Sequence, residues 1–157
     1  MQKERILMSI ANFLYTAGKG CPEGKDLTYI MKEIPEGMKT PAIYFPNPEV
    51  QEYNDTLSTY MLTYSWFIKV FGKTNEEAYA ISHHIQKVLS GCRLTIPILN
   101  EDGTKTGQFV RLQRPQVRQI DSHISQLTIS FDIRKGYDDC LTDEENITIF
   151  DPNITLI

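Results

Sequence analysis

The sequence predicts an α+β fold, with two helices packed on one face of a mainly antiparallel or mixed sheet of about five strands. Two segments, residues 60–71 and 123–134, alternate apolar and polar side chains as half-buried strands do. Two others, residues 2–15 and the stretch between Thr74 and Gly91, repeat apolar residues with the period of a helix. The predicted element order is α-β-β-α-β-β-β.

The first predicted helix, at residues 2–15, places four apolar residues on one face: Ile6, Ile10, Phe13 and Leu14. Residues 17–25 contain three glycines and a proline, which end the helix because neither residue type favours its continuation. Residues 42–45 lie between two prolines and read as a short strand. Residues 46–56 are then predicted to form a loop.

The longest predicted strand, residues 60–71, leads into the second helix. Its even-numbered positions form one face: Tyr60, Leu62, Tyr64, Trp66, Ile68 and Val70. Thr74 is a predicted N-cap, with Glu77 three residues later in a capping box. The buried stripe of the helix is Ala78, Ile81, Ile85, Val88 and Leu89. Gly91 is predicted to end the helix at the C′ position, which is commonly left-handed.

The chain after the second helix is predicted to form three more strands. Residues 93–99 and 108–114 pair as a hairpin around an Asp-Gly turn signal, and residues 123–134 form the last strand. We therefore expect one domain at residues 1–137. Residues 138–157 form a C-terminal extension that is first acidic and then repeats Asn-Ile-Thr before apolar residues. This extension is expected to add to its own sheet or to that of a neighbouring subunit.

Composition excludes several classes of function. The net charge is −4, and no basic face suited to sequence-independent nucleic-acid binding is visible. Arg111, Arg114 and Arg118 lie close together and are interpreted as residues of a solvated strand face. The three cysteines lack the spacing of a zinc site and are an odd number, so no disulfide framework is indicated. No stretch approaches the roughly 20 apolar residues of a membrane helix. We expect no cofactor and no membrane partner.

The Gly-Lys-Thr sequence at residues 72–74 raises the alternative of a nucleotide-binding P-loop. That motif needs a glycine five positions before Gly72, where this chain has Phe67. The intervening residues are predicted strand, and the acidic residues at the start of the next helix repel phosphate. We therefore expect no nucleotide site.

The histidines do not have the spacing of metal ligands. His83 and His84 are adjacent, so on a helix they project about 100° apart rather than from one face. His123 lies at the start of the last strand. No activated nucleophile with a base is apparent, so the sequence predicts no catalytic residue, no metal site and no enzymatic activity.

One stretch, "IPEGMKTPAIYFP" at residues 34–46, resembles a segment of small tail-terminator or minor capsid (tail completion) proteins from phages and phage-tail-like particles of Gram-positive bacteria. The order of elements through "FDIRKGYD" is also similar, so the resemblance covers about residues 2–137. Glu36 stands where glutamine is commoner, and residues 17–24 and the C-terminal extension have no counterpart in the family pattern.

This resemblance implies a structural virion protein at the head-proximal end of the tail, assembled in the host cytoplasm. Such proteins form a homo-oligomeric ring, usually a hexamer, that caps the tail tube, stops its polymerisation and faces the head-tail connector. In a contractile tail the ring also receives the sheath protein. DNA only passes through the lumen, in keeping with the acidic charge balance.

A ring needs two complementary surfaces on each subunit, and the sequence offers two candidates. The first is the hairpin turn, comprising Asp102, Gly103, Thr104 and Lys105. The second is the apolar set in the C-terminal extension, comprising Ile147, Ile149, Phe150, Ile154, Leu156 and Ile157. Competing hypotheses are another head-tail connector protein (a stopper, adaptor or head-completion protein), a metal-dependent hydrolase that uses the histidines, and a cytosolic adaptor unrelated to virions.

Overall fold

The fold was analysed in a computed structural model that describes residues 2–137. The helices are α1 (Gln2–Lys19) and α2 (Asn75–Gly91), with a 3₁₀ turn at Pro22–Gly24. The strands are β1 (Thr28–Met31), β2 (Ala42–Phe45), β3 (Glu49–Asn54), β4 (Thr59–Phe71), β5 (Thr95–Leu99), β6 (Lys105–Arg111), β7 (Gln116–Asp121) and β8 (Ile124–Gly136). The α+β class predicted from the sequence is therefore confirmed.

Two long antiparallel strands, β4 and β8, organise the main sheet. They pair without interruption from Thr59 opposite Gly136 to Phe71 opposite Ile124. The order across the six-stranded sheet is β1-β2-β4-β8-β7, and β3 pairs with the part of β4 that β2 leaves free. Only β1 and β2 run parallel. Strands β5 and β6 form a separate two-stranded sheet.

The core lies between one face of the main sheet and a layer made of the two helices and the β5–β6 hairpin. The predicted alternation in β4 is observed from Tyr64 onward, because Tyr64, Trp66, Ile68 and Val70 are all buried. Tyr60 and Leu62 of the same predicted face are half-buried. Phe131 of β8 stacks on Tyr64 with ring centroids 5.1 Å apart. The same cluster includes apolar residues of α1, α2, β5 and β6: Ile10, Leu14, Ile81, Ile85, Ile96 and Val110. The helices thus cover one face of the sheet.

Three strands were not predicted from the sequence: β1, β3 and β7. Strand β3 lies inside the segment predicted as a loop, and all six of its residues are exposed. Helix α1 also continues to Lys19, four residues beyond the predicted end. The main sheet therefore contains more edge strands than the hydrophobic pattern revealed, because an exposed strand carries no alternation to read.

The two ends of α2 differ in how well they were predicted. Thr74 is the N-cap, and its Oγ1 accepts a hydrogen bond from the Glu77 amide at 3.1 Å. The Glu77 carboxylate reaches one residue further back than expected and accepts from the Lys73 amide. At the other end Gly91 is still helical, and Arg93 (φ +56°) takes the left-handed position instead. The expectation that Gly91 occupies that position was wrong.

Neither helix in residues 2–137 combines the length and apolar character that a membrane-crossing helix needs.

Candidate functional site

The turn between β5 and β6 is the first predicted interface element, and its structure is well defined. The Asp102 carboxylate accepts hydrogen bonds from the Thr104 hydroxyl at 2.6 Å and from the Thr104 amide at 3.0 Å. Asn100 closes the turn with a side-chain bond to Thr104 Oγ1 at 3.0 Å. Gly103 has a φ of +86°, a conformation that favours glycine. Lys105 then begins β6.

These hydrogen bonds shift the titration of Asp102. Donation from the Thr104 hydroxyl and then from its amide stabilises the charged carboxylate, which lowers the pKa of Asp102 below its ordinary value of 3.8. The turn therefore carries a fixed negative charge at neutral pH. Its four residues 102–105 are all exposed, as an interaction surface requires.

The β5–β6 hairpin is anchored to α1 on one side and presents an apolar residue on the other. Ser9 of α1 is buried, and its hydroxyl accepts a 2.9 Å hydrogen bond from the Leu99 amide. Ile96 of β5 is fully buried in the core. On β6, Phe109 leaves 63% of its surface exposed. This strand pairs only with β5 in the described part of the chain, so its other edge is open.

A second hairpin, formed by β3 and β4, was missed by the sequence analysis. Strand β3 lies at the border of the sheet and exposes Val50 and Tyr53 by 45% and 50%. At the apex of the hairpin Leu57 is fully exposed. An isolated leucine within the polar stretch Asn-Asp-Thr-Leu-Ser-Thr was the available signal, because a turn exposed to solvent gains nothing from leucine.

The β3–β4 apex is ordered by a small network of hydrogen bonds. Thr56 Oγ1 lies 2.6 Å from Thr59 Oγ1, and its backbone amide donates to the Thr59 carbonyl at 3.0 Å. Asp55 accepts from Thr59 Oγ1 and forms an ion pair with Arg134 of β8 at 2.6 Å. The apex therefore presents Leu57 on a rigid turn tied to the end of the main sheet.

Several backbone amides in and after the Gly-Lys-Thr stretch that resembles a P-loop are bonded within the protein. The Gly72 amide donates to the His123 carbonyl at 2.9 Å. The Lys73 amide donates to the Glu77 carboxylate, and the Glu77 amide donates to Thr74. Backbone and side-chain acceptors of the protein itself thus bind the amides of Gly72, Lys73 and Glu77.

The histidines do not converge. His83 is exposed and lies against Tyr79, with ring centroids 5.8 Å apart, while His84 is half-buried near the 3₁₀ turn. His123 has a φ of +63° in the tight turn before β8. Within residues 2–137 no group of three or more His, Cys, Asp or Glu side chains is placed to hold a metal ion.

The second predicted interface element lies outside the described residues. It comprises Ile147, Ile149, Phe150, Ile154, Leu156 and Ile157 of the C-terminal extension, residues 138–157. The described part ends at Tyr137, whose ring lies 5.4 Å from that of Tyr60, and whose amide donates to the Ser58 carbonyl. Tyr137 therefore lies beside the β3–β4 apex.

The chain is similar to proteins of phage-related elements. No protein-family model matches it. A chain in the virion of a native gene transfer agent particle aligns over 84% of this chain and 98% of its own length, with 12% identity and a TM-score of 0.44. The uncharacterised protein YqbJ of Bacillus subtilis (strain 168) is 33% identical over 92 residues, 59% of this chain and 63% of YqbJ.

A further relative identifies the family to which the chain belongs. The phage-like element PBSX protein XkdJ of Bacillus subtilis (strain 168) is 32% identical to this chain over 106 residues. The match covers 68% of this chain and 73% of XkdJ. An identity of this level over most of both chains reflects a shared family, and the chain belongs to the family of the phage-like element PBSX protein XkdJ.

Proposed function

We propose that the protein is a structural component of a phage or phage-tail-like particle, and specifically a subunit of the tail terminator ring. In this role six copies cap the tail tube, stop its polymerisation and present a joining surface to the head-tail connector. In a contractile tail the same ring receives the last layer of sheath protein. The proposed site is the head-proximal end of the tail, and the role needs no catalytic group.

The observation that carries the proposal is the pair of unlike hairpins on a protein of a phage-element family. A closed ring is built from heterologous contacts, so each subunit needs two different patches that complement each other. The β3–β4 hairpin presents Leu57 and the exposed side chains of β3. The β5–β6 hairpin presents Phe109 and a charged turn. These two surfaces supply the required asymmetry.

Exposed apolar side chains on both hairpins favour assembly. Leu57 and Phe109 contribute nothing to the core, and each would gain roughly 1.5–3 kcal/mol if fully buried against a partner. Strand β3 and strand β6 are also edge strands, which offer backbone hydrogen bonds to a neighbour. The same features support contacts to the tail tube on one side of the ring and to the connector on the other.

The test is removal of the gene from the phage or phage-like element that encodes it, followed by electron microscopy of the particles. The proposal predicts tails of uncontrolled, excessive length that are not joined to heads. Complementation with the intact gene should restore both length and joining.

Two other outcomes of the deletion would overturn the terminator assignment. Particles with tails of normal length joined to heads would show that the protein has no such role. Tails of normal length that accumulate free beside filled heads would instead indicate a stopper, adaptor or head-completion protein.

A further inference from the structure

A groove separates the β5–β6 hairpin from the end of β8. It has a volume of about 950 Å³. One wall is continuous from Gln108 to Arg114, and the other consists of the consecutive residues 132–134. Consecutive residues of a strand point to opposite faces, so a wall lined by all of them is a strand edge and not a strand face. Two open strand edges therefore border the same groove.

Within residues 2–137 the edge of β8 has no strand partner along this groove. Strand β7 pairs with β8 only up to Thr128, and the last backbone hydrogen bond on that side runs from the Gln113 amide to the Ser130 carbonyl at 2.7 Å. Beyond it, the Gln113 side chain donates to the Asp132 carboxylate at 3.3 Å. In an antiparallel strand every second residue directs both its N–H and its C=O to the same side. Asp132 and Arg134 follow Ser130 at this spacing, so their backbone groups point into the groove.

The same alternation of backbone groups identifies the residues of β6 that face the groove. The Leu112 amide donates to Leu94 on the β5 side, so Val110 also directs its backbone groups toward β5. Phe109 is opposite Pro97, which has no N–H to donate, as expected of a non-hydrogen-bonded pair. The backbone groups of Phe109 and Arg111 consequently point away from β5 and into the groove.

The groove has an apolar floor, and its charged lining residues are three arginines (Arg111, Arg114 and Arg134, the last paired with Asp55) and one aspartate, Asp132. Its floor includes Ile6, Ile98 and Val110, all buried, and Ile133 lies partly buried beside them. Arg111 and Arg114 on the rim are exposed, and no ion pair involves either of them in the described part of the chain. A segment that fits must be an extended strand with apolar side chains on one face and an acidic flank.

We propose that the groove receives residues 146–150 of a second copy of this chain as an added β-strand. The sequence Asn-Ile-Thr-Ile-Phe alternates so that Ile147 and Ile149 face the apolar floor while Thr148 and Phe150 face outward beside Phe109. Hydrogen bonds to both open edges then join the two sheets into one.

The flank of this segment has the charge that the rim requires. Residues 138–145 contain five carboxylates: Asp138, Asp139, Asp143, Glu144 and Glu145. Their charge complements Arg111 and Arg114 and steers the segment to the groove. Eight extended residues span about 26 Å, enough to reach a neighbouring subunit.

This inference rests on the proposed ring, because a strand donated from each subunit to the next is a heterologous contact that closes around the ring. It assigns a role to the C-terminal extension that the resemblance to tail terminators leaves unexplained. It also identifies the partner of the groove as the same chain and not the tail tube.

The test is cross-linking between two differently labelled full-length chains. One chain carries Phe109→Cys in the groove, and the other carries Thr148→Cys in the extension. Both chains also carry Cys92→Ser and Cys140→Ser, so that buried Cys21 is the remaining native thiol. The chains are mixed at the highest concentration they reach in solution and treated with a short bismaleimide. A covalent dimer that contains one chain of each kind is expected. Tyr79→Cys on α2 replaces Phe109→Cys in the control, which should give no such product.

Charge reversal provides a second measurement. Arg111→Glu combined with Arg114→Glu should lower the yield of the mixed dimer several-fold. Arg118→Glu, on strand β7 and away from the groove, should leave the yield unchanged.

The outcomes separate this inference from the proposed function. A cross-link that forms only when both cysteines are on one chain means that the extension enters its own groove, which overturns the proposal. Absence of any cross-link also overturns the proposal of strand exchange. If gene deletion still gives over-long tails in that case, the terminator role survives. A mixed dimer together with normal, joined tails in the deletion would support strand exchange and overturn the terminator role.

Discussion

Two glycines near α2 differ in whether a larger residue could replace them. A Cβ added at Gly72 would lie 2.6 Å from the Ala78 nitrogen and 2.9 Å from the Thr74 oxygen, both backbone atoms that cannot move aside. Gly91 is the last residue of the helix, with nothing within 4 Å of an added Cβ. Gly72 is needed for the close approach of strand and helix, whereas Gly91 is merely tolerated.

The first prediction follows from this contrast. Gly72→Ala should lower the free energy of unfolding by about 1–3 kcal/mol through overpacking. Gly91→Ala should raise it by about 0.5–1 kcal/mol, since alanine is the better helix former. Urea denaturation measures both. A destabilising Gly91→Ala would mean that Gly91 does occupy a left-handed position.

Asp102 gives the second prediction, a pH dependence of the β5–β6 turn. Its pKa is lower in the folded protein than the unfolded value near 3.8, so folding favours the charged form. The stabilisation is present above pH 3.8 and is lost as the pH falls through the lower pKa that Asp102 has in the folded protein. An NMR titration of the Thr104 amide should show a midpoint below 3.8. Asp102→Asn should abolish this step, and a midpoint at or above 3.8 would contradict the proposed hydrogen bonding.

The ends of α2 show which residue-level features a sequence reveals. The cap by Thr74 was predictable because donor and acceptor lie three residues apart in the chain. The left-handed residue at the other end was not predictable from the sequence. Arg93 adopts this conformation, which lets the Leu94 amide donate to the Leu89 carbonyl at 2.8 Å and leads the chain into β5. The direction of the next strand decided that position, and local preference for glycine did not.

Among the strands, the predictable ones are those with one buried face. Strands β4 and β8 alternate buried and less buried positions over residues 64–71 and 124–132, and both were identified from the sequence. Strand β3 is exposed throughout and exists because β4 offers it an unpaired edge. The candidate surface on β3–β4 was missed for the same reason, whereas the Asp-Gly turn between β5 and β6 was found from a local signal.

The third prediction concerns the anchoring of the β5–β6 hairpin to α1. Ser9→Ala removes the acceptor of the Leu99 amide and should lower the free energy of unfolding by about 1–3 kcal/mol. Hydrogen exchange at Leu99 should accelerate. Exchange at Leu112, whose amide is bound to the Leu94 carbonyl, should follow only the change in global stability.

A matched control for Ser9 is Ser82→Ala in α2. Ser82 is also buried, but its hydroxyl donates only to the Ala78 carbonyl of its own helix. This variant should leave the Leu99 amide protected. Equal acceleration in both variants would show that Ser9 does not anchor the hairpin specifically.

At the scale of the whole molecule, stability and assembly use different residues. The core cluster is confined to one face of the main sheet and to the elements that cover it. Four of the exposed apolar residues lie on the two hairpins and outside the core cluster: Val50, Tyr53, Leu57 and Phe109. Changes at these positions should therefore affect assembly while leaving folding intact, which makes the proposed function testable without unfolded variants.

The fourth prediction is made for Leu57. Because this side chain is fully exposed, Leu57→Asp should change the free energy of unfolding by no more than about 0.5 kcal/mol. In a ring it would place a charge in an apolar contact, so a deletion strain complemented with this variant should still produce over-long, unjoined tails. The matched control is Ile34→Asp, at a 48% exposed position outside both hairpins, which should restore normal tails. Full rescue by Leu57→Asp would show that the β3–β4 apex is not part of the assembly surface.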